Sequence, residues 1–279
     1  MKTIKYLILS VFIAASSVFY SCDSNINIFS KADDVKLGQQ VDAEMRANPS
    51  EYPIYHGDPS VKSYITTKIF NEILASPKIE NKNVFNYQME LLDKPDELNA
   101  FAVPGGYLYV YTGLLKYLDS EAALAGVIGH EIAHAERRHA TQRMTEYYGV
   151  SVLLGFVLGE NPSQIEEIAA NLLVGLAFLK NSRSDEDEAD EYSFKYLQDT
   201  RFYPGGVKFF FEKMRDEGLI SSNSSSIETF LSTHPDPIAR ISSTNQRLQS
   251  AGITVKDWKS SGTDIFRDEY LTNIRNKIN

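Results

Sequence analysis

Apolar residues at Val35, Leu37, Val41 and Met45 recur at helical spacing, and Pro49 and Pro53 close the run, which predicts a helix over 33–50. A second helix follows Pro59, with Val61, Tyr64, Ile65, Ile69 and Ile73 on one face. Residues 83–92 alternate well enough for a strand, and 106–111 read as another. Between them lie Asn99-Ala100-Phe101-Ala102 and the turn Pro104-Gly105-Gly106. One long helix is predicted over 120–147. Further helices are expected over 184–199, over 204–217 and from Pro237, with a Ser-rich loop at 221–226. Long helices and few, short strands predict an α+β, mostly helical fold with a small β-sheet.

Two apolar stretches, 148–159 and 168–179, flank the break Gly159-Glu160-Asn161-Pro162. Each falls short of the roughly 20 residues of a membrane span. They read as buried or groove-covering helices, the alternative being a membrane-dipping hairpin. Lys2 and Lys5, a mostly apolar run over 6–15 and small residues at Ala15, Ser16 and Ser17 give residues 1–21 the layout of a secretory signal. Cys22, the only cysteine, sits at the expected cleavage point after Phe19-Tyr20-Ser21, in a loose match to a bacterial lipobox. The alternative is a chance cysteine in an ordinary signal. If Cys22 is acylated, residues 22–32 form a polar tether, residues 33–250 the folded domain, and 251–279 a partly ordered tail. Several acyl chains would anchor the protein stably, where one alone would not. One cysteine also excludes an intramolecular disulfide. The net charge of −9 argues against nucleic acid as a partner.

Two of the five histidines stand in His130-Glu131-Ile132-Ala133-His134. At 3.6 residues per turn they lie about 40° apart around a helix, so both rings leave one face and can share a zinc ion. Glu131, about 100° from His130, can reach a water beside that ion and serve as general base. An apolar, Ala-rich helix is a costly place for these groups unless they are used. A third ligand must come from elsewhere. His139, nine residues after His130, points to the opposite face of a continuous helix and reads as a surface histidine or a support to a ligand. Glu186 and Asp190 share a helix face, so one carboxylate can bind zinc while the other accepts the far N–H of a ligand histidine. On its own the acidic run could equally be a solvated helix start. His234, before Pro235, could equally be a loop residue.

Taken together, Gly129–His134, then Ser182-Arg183 leading into Glu186-Asp187-Glu188-Ala189-Asp190, then Ser232-Thr233-His234-Pro235, with the loop 99–106, resemble the zinc metallopeptidases of the HtpX, BepA and LoiP type. The family also contains the CAAX prenyl proteases. The likeness covers roughly residues 34–250, without a tetratricopeptide-repeat extension, as in the small lipoprotein members. It implies a gluzincin-type zincin fold with one Zn2+ per chain held by His130, His134 and Glu186. It further implies Asp190 as partner of a ligand histidine, and His234 able to occupy the fourth zinc position and keep the enzyme latent. Arg240 is expected near the site, and the strand over 106–111 is expected to bind substrate by strand addition.

The implied reaction is metal-assisted peptide hydrolysis, with Glu131 moving the proton to the leaving amine. His234 or Arg240 is expected to stabilise the oxyanion, Tyr192 being a weaker candidate. The expected substrates are extended or unfolded proteins of the bacterial cell envelope. The expected location is the periplasmic face of the outer membrane, reached through the lipid anchor. The rival function is an assembly factor or chaperone that binds substrates with little catalysis. A purely structural zinc module fits poorly, since such sites tend to use four protein ligands, often cysteines.

Overall fold

The computed structural model describes residues 26–149, 181–221 and 225–278. The expected leader with Cys22 lies outside these residues. So do the two apolar stretches, apart from Tyr148 and Gly149 at the start of the first.

Helix α1 spans Lys31–Ala47 and starts at a reciprocal cap between Ser30 and Asp33. Helix α2, Pro59–Ile65, continues through a π turn at Thr66–Phe70 into Asn71–Leu74. Three strands follow: β1 at Gln88–Leu92, β2 at Ala100–Val103 and β3 at Tyr107–Tyr111. After the short helix α3, Thr112–Tyr117, come α4 at Glu121–Arg137 and α5 at His139–Tyr148. Beyond the undescribed segment lie α6 at Arg183–Leu197, α7 at Val207–Asp216, α8 at Ser225–Thr233, α9 at Pro237–Ser250 and α10 at Arg267–Asn273.

The sheet order is β1-β3-β2, with β1 parallel and β2 antiparallel to β3. The strand expected to receive substrate is therefore the centre of the sheet, with both ladders taken. Every residue of β3 is buried, because its two faces serve two cores. Leu108 and Val110 pack into the main core, whereas Tyr107, Tyr109 and Tyr111 meet α1 residues Leu37, Val41 and Met45. Alternation fails as a surface signal where both faces are covered.

The predicted helix over 120–147 is two helices. Arg138 takes a left-handed conformation, φ 62 and ψ 33, and ends α4. Its guanidinium donates to Asp34 at 2.5 and 3.2 Å and to the Phe29 carbonyl at 2.5 Å. Those contacts offset the strain of a non-glycine residue there. They also draw in the segment expected as a tether: Phe29 is buried, and Asn27 donates to Thr141 at 2.9 Å.

The segment after Ala251 belongs to the main core. Ile265, Tyr270, Ile274 and Ile278 are buried in it. The carbonyls of Phe266 and Ile265 accept from Glu121 and Ala122, amides of the first turn of α4 that have no partner within the helix.

Candidate metal centre

Helix α4 starts where the Ser120 side chain accepts from the Ala123 amide. Its small residues let neighbouring helices come close. A Cβ on Gly126 would lie 2.0 Å from the Val207 amide nitrogen of α7. On the α6 side, Ser193 donates to the Gly126 carbonyl at 2.9 Å. Helix α6 opens on a reciprocal cap between Ser182 and Asp185, and its buried face carries Glu186 and Asp190 one turn apart. Close packing of α6 on α4 brings those carboxylates to the histidine pair. His234 ends the turn after α8, and Arg240 comes from α9.

His130, His134, Glu186 and His234 each offer one ligand atom, all within 4.8 Å of one another, and all four residues are buried. His130 Nε2 lies 2.9 Å from His134 Nε2 and 3.5 Å from His234 Nδ1. Glu186 oxygens lie 3.3 Å from His134 Nε2, 3.5 Å from His130 Nε2 and 3.1 Å from His234 Nδ1. With metal–ligand bonds near 2.05 Å, the edge of a tetrahedron is about 3.3 Å, the middle of this range.

Burial and neighbouring charges set the protonation of the cluster. Burial and the Arg240 charge disfavour a proton on His130, yet the hydrogen bonds its ring donates to Asp190 and Glu186 push its pKa up to about 9. Burial, together with His130, holds His134 well below the usual range, so its ring stays neutral. Burial opposes charge on Glu186 too, but His234 and Arg240 outweigh it and keep the carboxyl well below the ordinary value. Two buried oxygens, Glu131 Oε1 and Asn181 Oδ1, have no hydrogen-bond partner among the described residues. Orphaned buried oxygens beside four lone-pair donors fit a bound cation with its water.

Asp190 lies 2.8 Å from His130 Nδ1, leaving Nε2 for the cluster. Arg240 donates to Asp190 at 2.6 and 2.7 Å and to Glu186 at 2.5 Å, and it stacks on the Phe211 ring at 4.3 Å. Its guanidinium is thus spent on the two carboxylates. Glu131 sits beside the cluster, with His234 Nε2 3.8 Å from its carboxylate. Burial pushes the Glu131 carboxyl up, against the pull of His234 and His130. Tyr192, two residues after Asp190, is on the other side of α6, where Arg137 and Lys195 lie over its ring.

Two residues enter the site against or beyond the sequence reading. The break at Arg138 turns His139 back toward α4, so its Nδ1 lies 2.7 Å from His134 Nδ1. Asn181 donates to Glu186 at 2.5 Å, and its amide lies 3.4 Å from both His134 Nε2 and His234 Nδ1. No motif marks Asn181; it is a single polar residue ahead of a helix cap. Of the five histidines only His56 stands outside the cluster, exposed after Tyr55.

A mostly helical fold with a small sheet, built around a buried three-histidine, one-glutamate donor set with two of its histidines on an HExxH helix, defines a metallopeptidase domain. Comparison of the sequence with known families agrees: the pattern of Peptidase family M48 matches residues 62–248. The chain belongs to peptidase family M48. It is 30% identical over 230 residues to the beta-barrel assembly-enhancing protease of Escherichia coli K12, covering 78% of this chain and 45% of that protein. It is 28% identical over 206 residues to the mitochondrial metalloendopeptidase OMA1 of Schizosaccharomyces pombe, covering 71% and 58%. The OMA1 of Arabidopsis thaliana is 34% identical over 142 residues, covering 50% and 27%. The chain spans about half the length of the curated relatives it matches.

Proposed function

We propose that the chain is a zinc-dependent endopeptidase acting on extended, non-native segments of cell-envelope proteins. The observation that carries this reading is the convergence of the four donors, all within 4.8 Å of one another and five of their six separations at 2.9–3.5 Å. In this reading His130, His134 and Glu186 hold the ion, and Asp190 accepts the far N–H of His130. Bound zinc would supply Lewis acidity and an acidified water. Glu131, buried and with one free oxygen, takes the proton of the attacking water and gives it to the leaving amine. Arg240 keeps Glu186 and Asp190 ionised and in place.

His234 Nδ1 would supply a fourth donor to the ion, at a place where a working enzyme would need water. Its position supports a latent state relieved when the turn carrying it moves away. Displaced, His234 becomes a donor to the oxyanion.

The substrate ladder is assigned to β2 rather than β3. Among the described residues β2 pairs with β3 alone, and it packs against α4. The Asn99 carbonyl accepts from Tyr111, so the polar groups of Ala100 and Ala102 face the other way, toward an added strand. A ladder of this kind reads backbone more than side chains, which suits unfolded polypeptide. The name beta-barrel assembly-enhancing protease, borne by relatives, supports an envelope setting. Acylation of Cys22, with anchoring to the periplasmic face of the outer membrane, completes the reading.

The test uses the chain expressed from its full sequence, incubated with unfolded casein beside Glu131→Gln. Cleavage by the wild type alone is expected, with equal zinc in both proteins by elemental analysis. Equal turnover in Glu131→Gln would overturn the role of Glu131. If neither protein cleaves, His234→Ala is expected to release activity. Failure of that variant too, with cellular function intact in Glu131→Gln, would favour the assembly-factor reading.

A further inference from the structure

We propose that His139 and Glu188 form an orienting relay behind His134, fixing the tautomer and ring angle with which that histidine meets the metal. The proposal rests on the zinc-site reading above and concerns two residues to which that reading gives no role.

The argument starts from proton accounting. His139 Nε2 lies 2.9 Å from Glu188 Oε2. An ionised carboxylate only accepts, so the proton of this hydrogen bond belongs to His139 Nε2. With a cation on His134 Nε2, that ring's one proton sits on Nδ1, so His139 Nδ1, 2.7 Å away, must be the bare nitrogen of a neutral ring. Two bare nitrogens at this distance repel, so His134 Nδ1 must carry the second proton and donate it. Its Nε2 is left as a lone pair, and Nε2 is the atom that faces His130 and Glu186. Glu188 thereby sets the tautomer of His134 through one intervening ring.

The relay matches what Asp190 does for His130 directly. Both carboxylates come from α6, two residues apart, so one helix aims both histidines of the α4 motif. The His139 ring is buried at 1% exposure, edge-on to His134 with centroids 4.9 Å apart. Glu188, 32% exposed, ends the relay near solvent, where Arg137 Nε donates to its other oxygen at 2.9 Å. The arrangement exists only because Arg138 breaks the helix. In a continuous helix nine residues would put His139 about 180° from His130.

Partners of this kind typically carry a 10- to 100-fold effect on metal affinity. The test is zinc affinity of the full-length chain by competition with a chromogenic chelator. His139→Ala is expected to bind zinc about 10- to 100-fold more weakly. His139→Gln, whose amide oxygen can accept from His134 Nδ1, is expected to recover most of that loss. Glu188→Ala is expected to fall between. In parallel, histidine 15N spectra of the zinc-loaded wild type are expected to show protons on His134 Nδ1 and His139 Nε2.

Equal affinity in His139→Ala and wild type would overturn the relay, even if the variant melts earlier, since lost packing alone lowers stability but not affinity. A proton found on His139 Nδ1 would overturn it without any variant. A wild type that takes up no zinc would overturn the site reading itself, a separate and visible failure.

Discussion

Replacing Arg138 by glycine tests whether the break between α4 and α5 is held by the side chain or by the backbone. Glycine relieves the left-handed strain, worth about 1–2 kcal/mol. The substitution also deletes the donors to Asp34 and to the Phe29 carbonyl. Asp34 is buried, and stranding one member of a buried pair costs about 3–5 kcal/mol. Because Arg138 keeps some exposure, 17%, the low end applies. The net expectation is a loss of about 2 kcal/mol, read as a lower urea midpoint at unchanged m. The loss should depend on pH. Burial already pushes the Asp34 carboxyl up even with Arg138 beside it. Without that partner it rises further, and an acid with a raised folded pKa loses stability as pH climbs through it. The Arg138→Gly deficit is therefore larger well above the ordinary aspartate range than near it. Adding Asp34→Asn should restore part of the loss and flatten its pH dependence. A glycine variant as stable as wild type, or a deficit independent of pH, would refute the reasoning.

Three further outcomes follow from other contacts. Gly126→Ala should lower the melting temperature by several degrees, because its Cβ would meet α7 backbone at 2.0 Å and overpacking costs about 1–3 kcal/mol; an unchanged melting curve would show that the helices can separate freely. Tyr270→Phe should cost about 1–2 kcal/mol in urea unfolding by stranding the Leu115 carbonyl that its hydroxyl reaches at 2.7 Å, and no cost would mean the C-terminal segment is peripheral. Glu131 acts as a base only when ionised and burial raises it, so casein cleavage should fall off on the acid side above pH 4.5, the ordinary glutamate value; a limb below that value would assign the base elsewhere.

The parts of the site readable from sequence were those set by helical phase. His130 with His134, and Glu186 with Asp190, lie four apart on helices whose caps, Ser120 and Ser182, stand in the sequence. The site's wider shell depends on tertiary geometry that no spacing encodes. Counting residues along one unbroken helix sent His139 to the wrong face, because a non-glycine residue in the left-handed region leaves little signal. The expectation that the strand over 106–111 receives substrate comes from the family resemblance alone, and no local pattern reveals that β1 and β2 take both its ladders while α1 covers its tyrosines. The expectation of Arg240 near the site comes from the resemblance, and no spacing in the sequence shows that its guanidinium donates to both Glu186 and Asp190. The polar segment after Ala251 read as a tail because its few apolar residues are widely spaced, yet Ile265, Tyr270, Ile274 and Ile278 all find the core.

That last segment bears on the order in which the protein is made. The amides at the start of α4 find their acceptors in Ile265 and Phe266, and the neighbouring core is completed by Ile278. A ribosome delivers these residues more than 120 positions after the histidine motif has emerged. A growing chain therefore carries the His130–His134 motif, Glu186 and His234 before it can seat the first turn of α4. A chain cut short before Ile265 would keep His130, His134, Glu186 and His234 yet lack the acceptors that seat the first turn of α4.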